Sequence, residues 1–389
     1  MNNACQWMHN LRRDSLNACV LSAIEGQCLT VTGLGRAINS QAKEKHCIKR
    51  ADRLLSNAHL HREQRDIYHA MSQVIVNGQR RPVILVDWSD LDECREHFLI
   101  RAAIAVEGRS LTLYEEVHDI KTKEKPKTHR IFLKRLKTML PADCKPIIVT
   151  DAGFRVTWFK EVEKLGWDWV GRIRNRNKVK QGENRHWVNC KFLYKKATST
   201  AKSLGQVVLT QRHHFPCRMV IYKAKAKGRV DKNKFGQRAR SKKSKENAAR
   251  EREPWLLATS LPVTSKLAKQ VKNIYATRMQ IEEGFRDNKS TRYGLGFEFN
   301  GTRSIQRLQI LLLIAMLASV VLWILGLIAI KTRQYRHYQA NTITKKKVLS
   351  TVFLGLRVAN DERFLMDESD IIQAGKDLWK MVGAHANGW

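Results

Sequence analysis

The sequence predicts an α/β protein, in which a mixed sheet with flanking helices lies between helical N- and C-terminal regions. Three observations predict it. Pro82-Val83-Ile84-Leu85-Val86 and Pro146-Ile147-Ile148-Val149-Thr150 are short, continuous, β-branched apolar runs, as expected of buried strands. Around them the apolar spacing switches to a helical period over Thr128–Leu140 and Phe154–Leu165. Residues 1–75 read as helical, and near the other end of the chain the uncharged run Ile310–Ile330 reads as a helix.

At the N-terminus, Arg12 and Arg13 before the apolar run Leu16–Ile24 resemble the start of a signal peptide. Asp14 and Asn17 interrupt the pattern and no small-residue cleavage site follows cleanly, so an amphipathic helix is expected. The next stretch is basic: Arg36, Lys43, Lys45, Lys49, Arg50, Arg53 and Arg62 stand against Glu44 and Asp52. Thr32–Ile38, a polar turn and Ile48–Leu55 form a pair resembling a helix-turn-helix. Lys49, Arg50 and Arg53 would lie together on its second helix, facing DNA.

The strand Pro82–Val86 opens the core. Phe98–Val106 and Ser110–Val117 follow as strands joined by a turn at Gly108-Arg109. Thr128–Leu140 is a helix ended by Pro141, and Pro146–Thr150 a second buried strand. Phe154–Leu165 is a helix stopped by Gly166, and Trp167–Ile173 a last strand. The order β-β-β-α-β-α-β is that of a ribonuclease H-like core. Beyond it, Arg172, Arg174, Arg176, Lys178 and Lys180 alternate along the chain. On an extended strand they would make a positive stripe about 27 Å long, matching a phosphate backbone. Residues 223–252 hold 13 Lys or Arg and little apolar content, which predicts a loop adding salt-sensitive, non-specific affinity. Ile310–Ile330 is 21 residues without a charge. By composition it fits a membrane span or a helix buried on all sides equally well.

Charge narrows the function. The 389 residues include 71 Lys and Arg against 36 Asp and Glu, a formal net charge of +35. A compact body so charged calls for a polyanionic partner, nucleic acid first, and excludes a small-molecule enzyme with no polyanion in its cycle. The eight cysteines form no CxxC or CxxH pair, which excludes zinc fingers and fits reduced thiols in a cytosolic protein.

Three carboxylates carry the chemistry. Asp87 directly follows the apolar run Pro82–Val86, and Asp151 directly follows Pro146–Thr150, so both stand at one sheet edge. Asp90 and Asp92 lie near, but Asp87 abuts the buried run. A helix from about Lys266 to Lys289 carries Tyr275, Arg278, Glu282, Phe285 and Lys289 at spacings of three, four, three and four, along one face. Glu283 points about 100° away, which favours Glu282. Asp87, Asp151 and Glu282 make a hard-oxygen ligand set for two Mg²⁺ ions about 4 Å apart, the arrangement of phosphodiester cleavage and joining. Arg278 and Lys289 would hold the flanking phosphates.

These residues resemble a known family. Tyr275-x-x-Arg278-x-x-x-Glu282-x-x-x-x-x-x-Lys289 matches the signature of the insertion-sequence-four family of DDE transposases. Leu85-Val86-Asp87-Trp88-Ser89-Asp90 and Val149-Thr150-Asp151-Ala152-Gly153-Phe154 match its two aspartate motifs. The pattern is most similar to the insertion-sequence-ten branch, and the similarity covers most of the chain. The resemblance implies a ribonuclease H-like core interrupted by a largely β insertion before the glutamate helix, in keeping with the 131-residue interval from Asp151 to Glu282. It divides the chain into a basic DNA-binding region (1–75), the first part of the core (76–171), a basic β-rich insertion (172–252), the second part of the core (253–300) and a helical region with a possible dimer contact (301–389).

It further implies a homodimer in a synaptic complex on paired terminal inverted repeats. That dimer would cut with Mg²⁺ (Mn²⁺ able to substitute), release the element through hairpins and join it to target DNA. Trp255 resembles the family's base-stacking tryptophan, although a core tryptophan on a strand fits the bare sequence better. Where some relatives carry a second tryptophan this chain has Met279, a less rigid wedge. The family's post-glutamate region is helical and soluble, which makes Ile310–Ile330 a buried helix in a bacterial cytoplasmic protein, on the nucleoid when DNA-bound. A non-catalytic transposition inhibitor is the alternative; it explains the charge but not the three carboxylates.

Overall fold

The computed structural model describes residues 5–174, 177–182, 186–225 and 237–387. In chain order its elements are α1 (Asn10–Glu25), α2 (Val31–Arg36), α3 (Glu44–Leu55), α4 (Ala58–Val76), β1 (Val83–Asp90), β2 (His97–Ala105), β3 (Ser110–Asp119), α5 (Pro126–Met139), β4 (Ile147–Thr150), α6 (Val156–Lys164) and β5 (Asp168–Arg172). There follow β6 (Lys178–Gln181), β7 (Val188–Asn189), a 3₁₀ segment (Cys190–Lys196), β8 (Lys202–Leu209), β9 (Phe215–Tyr222), α7 (Lys242–Glu251), β10 (Trp255–Thr259), α8 (Leu267–Ala276), α9 (Met279–Lys289), α10 (Ile305–Lys331), α11 (Thr351–Val358) and α12 (Glu368–Asn387). From β1 to β5 the order is β-β-β-α-β-α-β, as the sequence predicts. The chain divides into two compact units, one running up to Pro146 and resuming at Met279, the other Ile147–Arg278.

In the first unit, β1, β2 and β3 form an antiparallel meander. Asp87 pairs with Arg101, and Arg101 in turn with Glu115. The connection between β2 and β3 closes at Gly108, whose φ is +73°, and the Val106 N–H donates to the Arg109 carbonyl at 3.0 Å. Helices start where side chains take up free N–H groups: Thr30 accepts from Gly33 and Asn57 from Leu60, while Pro126 supplies the first residue of α5.

Helix α10 is apolar on every side, and its apolar stretch is mostly buried against α1, α4, α11, α12 and β3. Its crossing with α11 is glycine-dependent. A Cβ on Gly326 would meet the Thr351 carbonyl at 2.0 Å, and one on Gly355 the Leu322 carbonyl at 1.9 Å. Backbones approach that closely only where neither helix has a side chain. Helix α10 is the one described helix long and apolar enough to cross a membrane, yet it packs here as a core helix.

The second unit holds a mixed sheet in the order β4-β5-β10-β9-β8-β6-β7. Strands β4 and β5 are parallel and the remaining pairs antiparallel. Helix α6 covers β5 through Phe159 stacked on Trp169, ring centroids 4.0 Å apart.

Three expectations are corrected. Strand β1 does not end before Asp87 but continues to Asp90; its second half is merely less buried, so the apolar signal stops at Val86 while the ladder with β2 goes on. The single helix Lys266–Lys289 is two, broken at Thr277-Arg278. There the Thr277 and Arg278 N–H groups bond to carbonyls three residues back, and the Thr277 hydroxyl takes the Ile274 carbonyl at 2.7 Å. The alternating basic stripe is also split. Arg172 ends β5, Arg174 follows in irregular chain, Arg176 lies outside the described residues, and Lys178 and Lys180 belong to β6, which pairs with β7 and β8 rather than continuing β5. Residues 226–236 of the basic tract also lie outside the described residues.

Candidate active site

In the first unit the fold brings together Asp87 and Glu282, which stand 195 positions apart. Both line a pocket of about 520 Å³ with Trp88, Ser89, Phe285, Arg286, Lys289, Ser290 and Glu298. Asp87 is held in register within β1, and its carboxylate accepts the Trp88 N–H at 2.9 Å. Glu282 lies in the first turn of α9, and the i, i+3, i+7 spacing puts Phe285 and Lys289 on its face. Phe285 and Ile281 are buried, which fixes the roll of α9 on β1, β2 and β3. Glu283 turns away, as the helical geometry predicts, and pairs with Arg109 and Arg286.

Lys289 fastens the end of the helix to the strand. Its ammonium donates to Ser89 Oγ at 2.8 Å and to the Asp90 carbonyl. Burial lowers its pKa, and Arg101 lowers it further against the opposing pull of Asp90 and Glu298. The two neighbouring aspartates are committed elsewhere. Asp90 pairs with Arg95 and Lys123 at 3.4 Å, and Asp92 accepts the Glu96 and His97 N–H groups at 2.9 and 2.8 Å.

Asp151 belongs to the second unit, immediately after β4, where its Oδ1 accepts the Gly153 N–H at 2.7 Å. The same unit holds Tyr275, Arg278, Arg172, Arg174 and Trp255. Trp255, at the start of β10, is half-buried with its ring edge-on to Tyr275 at 5.0 Å and tilted against Tyr222 at 5.5 Å. Tyr275 is buried, and its hydroxyl meets the Arg172 guanidinium. Burial raises the Tyr275 pKa against the pull of Arg278 and Arg172, and the Asp151 carboxylate adds to the rise. Arg172 also reaches the Glu253 carbonyl, and Arg174 pairs with the Glu253 carboxylate at 3.4 Å. These two arginines are thus partly spent inside the protein.

Met279 is exposed at the start of α9. On α3, Lys49 and Arg53 are exposed one turn apart, whereas Arg50 is half-buried and donates to Ser15 Oγ at 3.1 Å. The three do not form one uniform face.

Residues missed by the sequence reading are Arg101 and Glu115, a buried ion pair at 2.6 Å. The available signal was a charge inside the apolar strand Phe98–Val106. For a metal, the donors at hand are carboxylate and hydroxyl oxygens, which suit a hard divalent cation. Taken one unit at a time, the described residues bring no three His, Cys, Asp or Glu side chains into one group that could hold an ion. The first unit offers the Asp87 and Glu282 pair and the second the Asp151 carboxylate.

A family model described as a transposase DDE domain matches residues 78–321, more than half of the chain. No curated protein matches it.

Proposed function

Since the chain belongs to the DDE-domain transposase family, we propose that it is a cut-and-paste enzyme of the insertion-sequence-ten branch of the insertion-sequence-four family. The observation that carries the reading is the meeting of Asp87 and Glu282 in one pocket, with Lys289 fastened to Ser89 beside them. Asp87, Asp151 and Glu282 are the proposed ligands of two Mg²⁺ ions, for which Mn²⁺ can substitute. When bound, such ions lower the pKa of a water or 3′-hydroxyl and neutralise charge on the leaving oxygen.

The chain's own part is placement. The register of β1 fixes Asp87, the buried Phe285 and Ile281 fix the roll that presents Glu282, and the clasp of Lys289 on Ser89 and Asp90 keeps the helix there. Arg278 is proposed to hold a phosphate beside the reacting one. Lys289 would do so only by leaving its contacts with β1. Trp255 is the proposed stacking platform for a base turned out of the duplex, already steadied by Tyr275 and Tyr222. Met279 gives a softer, exposed contact.

The basic N-terminal region, through Lys49, Arg50 and Arg53, and the insertion, through Arg172, Arg174 and Arg176, are assigned to the terminal repeats and target DNA. The enzyme would act as a homodimer in a synaptic complex, in the bacterial cytoplasm on nucleoid DNA. Its steps are hydrolysis at the element ends, hairpin formation and strand transfer.

The test uses labelled duplex carrying the inverted repeats that flank the gene, purified protein and Mg²⁺, resolved on denaturing gels. End-specific nicks and hairpins from the wild type that vanish in Glu282→Gln support the reading. Binding without cleavage by the wild type, in Mg²⁺ or Mn²⁺, would overturn it in favour of an inhibitor that occupies element ends.

A further inference from the structure

The centre of the three-stranded meander carries a charge the proposed reaction does not use. Asp87, Arg101 and Glu115 stand opposite one another on β1, β2 and β3, so their side chains share one face of the sheet. Arg101 is 2% exposed. Its Nε donates to Glu115 Oε2 at 2.6 Å, and Glu115 also accepts the Tyr68 hydroxyl at 3.0 Å. Its Nη2 has no hydrogen-bond partner among the described residues.

Helix α9 lies on this guanidinium. The Arg101 Cζ sits 4.8 Å from the centroid of the Phe285 ring. A Cβ placed on Gly284 would come within 3.9 Å of Arg101 Nη1 and 3.3 Å of Ser110 Oγ. Gly284 and Phe285 are two and three residues after Glu282. An apolar residue at position 101 would pack the same face without burying a charge or leaving a donor unpaired. A guanidinium kept there at that cost has a task other than filling space.

We propose that Arg101 is a positioning residue for Glu282. Anchored by Glu115, which the Tyr68 hydroxyl in turn steadies, its planar cation is the surface on which Gly284 and Phe285 seat, and it thereby sets the height and roll of α9 over Asp87. Glu115 holds the cation in orientation, and the Phe285 face completes the contact that an ammonium of shorter reach would not reproduce. Lys289, clasped to β1 at the far end of the same helix, supplies the second fixed point. Two anchors on one rigid helix define where its first-turn carboxylate lies.

This rests on the transposase reading only for its activity readout. The experiment compares wild type, Arg101→Lys and the paired variant Arg101→Met with Glu115→Gln, which removes both charges of the ion pair and leaves the Tyr68 hydroxyl an amide oxygen to donate to. Hydrogen exchange of the 279–289 amides is measured without DNA, and single-turnover cleavage and DNA affinity are measured with terminal-repeat duplex.

The paired variant should melt as the wild type does, exchange faster across α9, and cleave 10- to 100-fold more slowly with DNA affinity within twofold. Arg101→Lys should change exchange and cleavage in the same direction by less, and it serves alone should the paired variant not fold. Unchanged α9 exchange in a folded variant overturns the proposal, as does cleavage by that variant at the wild-type rate. Should the wild type itself not cleave, the transposase reading fails, and exchange across α9 still decides the place of Arg101.

Discussion

Two strands of this molecule announce themselves in the sequence in the same way, by a β-branched apolar run followed by an aspartate, and they are built differently. In β1, Asp87 is an interior residue of an eight-residue antiparallel strand, held on the ladder by Arg101 and continued to Asp90. In β4, Asp151 is the first residue past a four-residue strand that pairs in parallel with β5, and a turn holds it. A carboxylate on a ladder takes its position from the sheet. One in a turn takes it from its own local hydrogen bonds. The same chemical demand is thus met by global structure at one residue and by local structure at the other.

The largest test of that comparison removes the charges themselves. Asp87→Asn and Asp151→Asn should each lower DNA cleavage by roughly 10³-fold or more, since both are proposed to serve one reaction. Denaturing gels of end cleavage measure this. A variant at either position that retains a tenth of the activity would remove that residue from the site, whatever its backbone.

The second test attacks the ladder. Glu115→Ala leaves the Arg101 guanidinium buried without its ion pair, and takes the acceptor from Tyr68. Breaking one side of a buried pair should cost about 3–5 kcal/mol of stability, read as a fall in the urea midpoint at constant slope. No comparable buried pair supports Asp151 among the described contacts of β4, so the Asp151→Asn protein should unfold close to the wild type. A mild effect of Glu115→Ala would mean that the β1 side is not sheet-determined in the way described.

The third test is acid. His129 on α5 accepts the indole N–H of Trp88, the neighbour of Asp87, at 3.1 Å on Nε2. Burial, with the nearby His118, pushes the His129 pKa from 6.5 down to about 4. The unfolded chain therefore binds a proton near pH 6.5 that the folded chain refuses until about pH 4. The stability from neutral His129 is complete above pH 6.5 and is lost as pH falls towards 4. At about 1.4 kcal/mol per unit, this amounts to about 2 kcal/mol between pH 7 and 5. His129→Phe should flatten the urea midpoint over that range by about this amount; an unchanged slope would rule out His129 as its source.

How far the sequence made this legible follows from the same physics. Strands β2 to β5 and helices α5 and α6 fall within two or three residues of expectation because each buries one face or both, and burial is what periodicity records. The continuation of β1 to Asp90 was illegible because Asp87 and Ser89 pair on the ladder while lining a pocket, so their polarity answers to the site, and Asp90 is taken up by Arg95 and Lys123. The break between α8 and α9 was hidden because Thr277 substitutes its own hydroxyl for a helical bond without disturbing the three- and four-residue spacing. The basic stripe failed because alternation assumes one uninterrupted strand, and Arg172 and Lys178 belong to strands with different partners. Arg101 escaped notice because a single charge in an apolar run has meaning only once Glu115 is known to lie across from it.

The smallest predicted effect is the sharpest discriminator. Gly153 donates its N–H to Asp151, and a Cβ there would stand 3.0 Å from Asp151 Oδ1, with nothing else crowding it. Gly153→Ala is exposed and should change stability by no more than about 0.5 kcal/mol. It should nevertheless displace the carboxylate by a few tenths of an ångström, enough to slow cleavage by about tenfold where placement governs the rate. The corresponding residue after Asp87 is Ser89, which already carries a side chain and gives it to Lys289. Ser89→Ala loosens the helix clasp without touching Asp87, so its effect on cleavage should be the lesser of the two. Equal effects would mean that both aspartates are held by the sheet; a larger effect at Ser89 would mean that the site depends on how α9 is fastened more than on the turn that holds Asp151.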